Sequence, residues 1–167
     1  MSRTAVLMKN KVIVEIEELP SYLFIAVKGT LDEYSEFPEV TVTQNRDVLF
    51  DLQGFKSINS TGIRLWMEWI KNLNFRIFYF RHCPKVFIDQ LNNVAGFIPD
   101  NSVIESFYVP YHSPVTDEEA SILFRKGDHF VKGRILGMPE VLDSNFSRME
   151  IDILPEKYLR FLPRFSR

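Results

Sequence analysis

In the run "INSTGIRLWMEWI", residues 58–70, Asn59, Ser60, Thr61 and Gly62 stand directly ahead of an apolar series at helical spacing. Small polar side chains at the mouth of a helix can do two kinds of work. They can accept hydrogen bonds from the first free amides, a cap worth about 1 kcal/mol. A hydroxyl there can also carry a phosphate, because the same amides tolerate a dianion. Elsewhere the chemistry-bearing residues are sparse. Asp32 and Glu33 offer half of an acid–base pair, but no companion base, nucleophile or ligand cluster accompanies them, so catalysis is not expected. His82 and Cys83 are adjacent, and neighbours on an extended strand face opposite sides, which argues against a nucleophilic dyad. His112 and His129 are isolated, so no metal ligand set is expected.

The elements that must position these residues can be read from periodicity. Ile63, Trp66, Met67 and Ile70 fall on one helical face, so a helix begins near Ser60, and Asn59, Ser60 and Thr61 are all suited to cap it. Trp66 belongs to the core face, and Trp69 at its edge is expected to pack under the C-terminal region. The preceding "VLFDL" reads as a buried strand entering a loop at Gly54, which places the polar cluster on a strand-to-helix connection. Upstream, "KVIVEIEE" and "YLFIAVKG" form a hairpin around "LPSY", and the polar stretch with Pro38 leaves room for only a short helix, or none, before Val48. Downstream, "RIFYF" is a strand, the segment after Pro84 a helix to about Val94, and "SVIESFYV" a further strand ending at Pro110. Thr116 and Glu119 stand in capping-box register and Gly127 in a stop position, which predicts another helix. The remainder mixes Gly, Pro and short apolar runs, with a short strand near Met149 to Ile153 and a helix near Pro155 to Leu162. The expected fold is α/β: a mixed β-sheet covered by helices over residues 10–110, with a small irregular C-terminal appendage over residues 111–167.

Composition narrows the function classes. The chain has 167 residues, 46% of them hydrophobic, enough for one good core. Twenty basic against 22 acidic residues, a net charge of −2, give no global reason to bind nucleic acid. The basic residues near the end, Lys157, Arg160, Arg164 and Arg167, are too few to signal a membrane surface. Cys83 is the single cysteine, so no intrachain disulfide or cysteine-based zinc site is possible, which favours a reducing, cytoplasmic setting. The first residues meet charges before any signal-like core, and no run of about 18 apolar residues suggests membrane insertion.

"LFIAVKGTLDE" followed by "VLFDLQGFKSINSTGIRLW" resembles the STAS domain, the family of anti-sigma factor antagonists and sulfate-transporter cytoplasmic domains. The resemblance covers residues 12–109 and rests on Gly29, Leu31 and Asp32, on "VLFDL", and on Asn59, Ser60, Thr61 and Gly62 in place of the family's Asp-Ser-Ser-Gly. It implies a bacterial, non-catalytic regulator that works by protein–protein binding without a cofactor. Ser60 would be phosphorylated by an anti-sigma serine kinase and restored by a serine phosphatase, with Thr61 a second candidate. Asp32, Asn59, Ser60, Thr61, Gly62 and Arg64 would meet the partner. A homodimer is compatible with this reading, as is a constitutive scaffold subunit, for example on a transporter ATPase. Asn59 replaces the family aspartate, and the segment 33–47 is shorter than the family's first helix. The C-terminal region resembles an extension of a STAS-like subgroup with zinc-ribbon C-x-x-C pairs. Residues 112–115 and 142–145 occupy those places without cysteine, so packing by Phe130, Ile135, Tyr158 and Phe161 would replace the metal.

Overall fold

A computed structural model describes residues 4–9, 11–41 and 45–166. Its strands are β1 (Thr4–Lys9), β2 (Val12–Glu18), β3 (Tyr22–Leu31), β4 (Asp47–Asp51) and β5 (Phe55–Ile58), followed by helix α1 (Ser60–Lys71). Then come β6 (Phe78–Arg81), α2 (Lys85–Asn93), β7 (Ser102–Ile104), β8 (Ser106–His112) and β9 (Glu119–Arg125). Short strands β10 (Phe130–Val131), β11 (Arg134–Ile135) and β12 (Glu150–Ile151) lead to α3 (Pro155–Tyr158), a 3₁₀ turn (Leu159–Phe161) and α4 (Leu162–Phe165). The class is mixed α/β, as expected. A seven-stranded mixed sheet runs β1-β2-β3-β4-β6-β7, with β5 also pairing β3, and β8 forms a second sheet with β9 and β12.

β1, β2 and β3 are antiparallel, whereas β4, β6 and β7 follow β3 in parallel. Both connections that carry a helix, β5 to β6 and β6 to β7, put it on one face of the sheet. Leu23, Ile25, Val27, Val48, Phe50, Phe78 and Phe80 point to that face at period two and are buried there. Trp66 joins the layers: its ring meets Phe50 and Phe87 edge-on at 5.8 and 5.9 Å, and its indole N–H donates to the Phe97 carbonyl at 3.0 Å. The hydrophobic cluster continues through Phe107, Phe124, Phe130, Tyr158 and Phe161 into the residues after 110. Ile135 packs against it.

Three local expectations need correction. The helix predicted from the Thr116–Glu119 register is instead β9, antiparallel to β8 with Phe124 opposite Phe107 and Ile122 opposite Val109. Ala120, Ile122 and Phe124 alternate at period two, and edge pairing with a strand already in place outweighs one favourable capping register. The run "SVIESFYV" is not one strand. It breaks at Glu105, whose amide still bonds Phe80 O at 2.7 Å, and β7 finishes the large sheet while β8 starts the small one. Trp69 packs not under the C-terminal region but on the connection before β4. It stacks on Phe37 with centroids 4.5 Å apart and donates to Pro38 O at 2.9 Å. That contact fills the place of a helix between β3 and β4, and none occurs there among the described residues. Among the described residues, too, no helix is long and apolar enough to cross a membrane.

Candidate functional site

The polar cluster ahead of α1 lies against the end of β3. Asn59, not Ser60, is the N-cap: its backbone is extended and its side-chain oxygen accepts from Gly62 N–H at 2.8 Å. The Asn59 amide N–H donates to Leu31 O at 3.1 Å, and its side-chain NH₂ reaches the Glu33 carboxylate at 2.9 Å. Ser60 becomes the first residue inside the helix, exposed, and among the described residues its hydroxyl has no partner. Of the three residues suited to cap the helix, Asn59 does so for a geometric reason. It stands one position before Ser60, with a side chain long enough to bond forward to Gly62 and backward to Glu33 at once.

Gly62 explains how the loop sits so close to β3. A Cβ built there would lie 2.2 Å from Leu31 O and 2.6 Å from its carbonyl carbon. Gly29 makes a similar close approach at the other end of the same strand segment, where a Cβ would lie 1.9 Å from Lys11 O and the backbone is left-handed at φ 93°. Asp32 follows directly and is buried. Its backbone N–H donates to Ser35 Oγ at 2.8 Å, its carboxylate accepts from Tyr34 N–H at 3.0 Å, and Lys11 Nζ stands 3.4 Å away. The fold therefore brings Asp32, Asn59, Ser60, Thr61 and Gly62 together, with Ser60 and half-buried Thr61 outward and Asp32 inward. Arg64, one turn on, is exposed and pairs with Glu68 at 3.2 Å. Hydrogen bonds from its own backbone amide and from Asn59 hold the Glu33 carboxyl below its usual range. Beside this loop runs an open groove of about 770 Å³ that includes Ser60, Arg64, Met67, Lys71, Ile98 and Asn101.

Two other polar centres escaped the reading of the sequence. Asp51, at the end of β4, accepts from Gln53 N–H at 3.0 Å and from Arg81 Nε at 2.8 Å, and lies 3.1 Å from His82 Nδ1. Burial pushes its pKa upward, but the hydrogen bonds from Gln53, His82 and Arg81 outweigh that and leave it lowered. His82 takes a left-handed backbone, φ 53°, its ring lies beside Asp51, and the neighbouring Cys83 is fully buried. Burial raises the Cys83 thiol well above its ordinary value, so it is inert as a nucleophile. Ser106 Oγ accepts from the His82 backbone N–H at 2.8 Å rather than facing the imidazole. The cluster ties the end of β4 to the end of β6.

The second centre is Asp143, which is buried. Ser113 Oγ donates to it at 2.6 Å and Thr116 Oγ1 at 3.1 Å, while the backbone amides of Asn145 and Ser147 donate at 2.9 and 2.8 Å. Ser113 Oγ in turn accepts from Val115 and Thr116 amides. The turns over residues 112–115 and 142–145 are joined through the Asp143 carboxylate. Among the described residues no group of three or more His, Cys, Asp or Glu gathers as a metal site. Nearby, the hydrogen bond to Asp117 raises the His112 pKa, with Asp152 and Glu119 adding to it. His129 accepts from Arg125 N–H and stacks on Phe124.

Comparison with known proteins finds no matching family, curated protein or solved structure.

Proposed function

We propose that this chain is a non-catalytic regulatory protein, STAS-like in fold and cytoplasmic in setting, that binds another protein through the loop ahead of α1 and is switched by phosphorylation of Ser60. The observation that carries the reading is the exposed Ser60 hydroxyl, without a partner among the described residues, at the first position of a helix already capped by Asn59. Because Ser60 has no capping duty, a phosphate there would cost the fold little. The free amides at the helix start favour the added charge of about −1.5 to −2. A partner seated over Ser60, Thr61 and Arg64 would meet that charge uncompensated, so release would come from repulsion. The enzymes that add and remove the phosphate would be a serine kinase of the anti-sigma type and a serine phosphatase.

A second reading, a constitutive scaffold subunit with a fixed docking loop, is favoured by one detail. Glu33 is held ionised next to the loop through Asn59 and would oppose a phosphate on Ser60. The two readings part on one experiment. Protein from its native cells is examined by phosphopeptide mass spectrometry over residues 58–66, and Ser60→Asp and Ser60→Ala are compared for binding to a copurifying partner. Switching requires phosphate on Ser60 whose occupancy varies with growth condition, and affinity lowered about tenfold or more by Ser60→Asp, about 1.4 kcal/mol, with Ser60→Ala near wild type. Unmodified Ser60 and equal binding by both variants would leave the scaffold reading standing.

A further inference from the structure

Beside β12 the small sheet carries an apolar depression with an acidic rim. Its volume is about 470 Å³, and Tyr111, Met138, Pro139, Val141, Met149 and Ile151 give its apolar lining. Tyr111 and Met149 are buried, while Met138 is 40% exposed. The lining is held in place before anything arrives. The Tyr111 hydroxyl donates to Pro139 O at 3.3 Å, Met149 N–H donates to Val141 O at 2.8 Å, and Leu142 bridges Arg148 in antiparallel fashion.

The charged residues of that lining are Glu140, Arg148 and Glu150. Arg148 is engaged by Glu140 at 2.9 Å, which leaves exposed Glu150 with no ion-pair partner among the described residues. Strand register carries the negative charge further. Glu150 lies opposite His112 on β8, and His112 lies opposite Glu119 on β9, so the three side chains form one row on one face of the sheet. His112 responds to the field: its 2.9 Å hydrogen bond to Asp117 raises its pKa, and the charges of Asp152 and Glu119 raise it further. On the large sheet the acids are matched instead, Glu15 by Lys28, Asp47 by Arg76 and Asp51 by Arg81. The excess of carboxylates around the depression is therefore local, in a chain whose net charge is only −2.

We infer that this depression docks a segment of another protein that carries arginine or lysine on either side of a large apolar side chain. The apolar side chain enters over Met149, and the cations beside it meet Glu150 and the acidic row beyond. The sign of the charge decides the occupant. Nucleic acid and anionic lipid would be repelled by these carboxylates, and a second copy would bring the same acids against them. A cationic segment is steered toward the rim and pairs with carboxylates that have no partner within the chain. Its apolar side chain supplies the burial that exposed ion pairs lack. No residue of the loop ahead of α1 takes part, so the inference stands apart from phosphorylation of Ser60.

Fluorescence anisotropy with the full chain tests it, using the labelled peptides Arg-Leu-Arg-Leu-Arg, Arg-Ser-Arg-Ser-Arg and Glu-Leu-Glu-Leu-Glu. The first should bind with a Kd of about 10 to 100 µM at low salt, weakening several-fold as sodium chloride rises from about 20 to 300 mM. The serine peptide keeps the charge without the apolar side chains and should bind at least about tenfold more weakly, and the acidic peptide should not bind. Glu150→Lys and Met138→Ser, both at exposed positions, should each weaken the first peptide about fivefold or more. Glu39→Lys, the same change of charge at an exposed position on the connection before β4, should leave its Kd within about twofold. Absence of binding by the first peptide at about 1 mM, equal binding by the serine peptide, or equal weakening by Glu39→Lys and Glu150→Lys overturns the inference.

Discussion

Gly62→Ala is expected to destabilise the protein by about 3 kcal/mol or more, read as a fall in melting temperature of roughly 6 to 12 °C. The added methyl would stand 2.2 Å from Leu31 O and 3.1 Å from Asp32 N. Both are backbone atoms at the end of a central strand, so no side chain can swing away to make room. The start of α1 must lift from β3, and with it go the Asn59 bonds to Leu31 and Gly62. Two other glycines supply controls. Gly137→Ala meets nothing within 4 Å on an ordinary backbone and should be nearly neutral, within about 0.5 kcal/mol. Gly127→Ala is equally uncrowded but left-handed at φ 91°, so it should cost only the conformational penalty, about 1 kcal/mol. Urea unfolding of the three variants checks the order. If Gly62→Ala matched Gly137→Ala, the close approach that seats the Ser60 loop would be wrong. It bears on the proposed switch as well, since a displaced α1 would no longer hold Ser60 at the first position of a helix capped by Asn59.

The second large effect is expected at Asp143. Its carboxylate serves four donors at once, and removing it leaves the Asn145 and Ser147 amides and two hydroxyls without an acceptor. Asp143→Ala should lower the melting temperature on the order of 10 °C. Asp143→Asn keeps one acceptor oxygen and should fall between alanine and wild type. The hydrogen bond from Ser113, with those from Ser147, Asn145 and Thr116 behind it, outweighs burial and holds the carboxyl below the ordinary aspartate range. The folded protein therefore favours the ionised form. Its stabilisation is complete above about pH 4, the ordinary aspartate value, and is lost as the pH falls through the lower folded value. Thermal melts between about pH 2 and 7 should show a steeper acid loss in wild type than in Asp143→Asn. Parallel acid limbs for the two proteins would remove the carboxylate from this role.

Much of the architecture was legible in the sequence. Where one face of a strand is buried and the other is not, alternation is written in the chain, as in "YLFIAVKG" and "RIFYF". The helix at 60–71 was legible because its apolar spacing coincides with a cluster of capping residues. β9 was misread because a capping register is a local signal, whereas the strand owes its state to β8, placed beside it by the fold. Trp69 was assigned the wrong neighbour because its helical angle sets which way it points, not which segment passes there.

The site divides along the same line. Composition excluded a disulfide or a cysteine zinc centre within the chain by counting alone, and the residue types before α1 marked that loop as the place where hydroxyls meet a helix start. Which of three adjacent polar residues caps the helix was decided by distance in three dimensions: Asn59 reaches both Gly62 and Glu33, and so leaves Ser60 free. Likewise, Asp143 and Ser113 lie 30 positions apart, and Asp51 and His82 31 apart. No local pattern joins such pairs. Short-range preferences are properties of the chain, but a hydrogen bond between distant residues exists only once strands and turns have been brought into register, and that registration was the work of the tertiary structure.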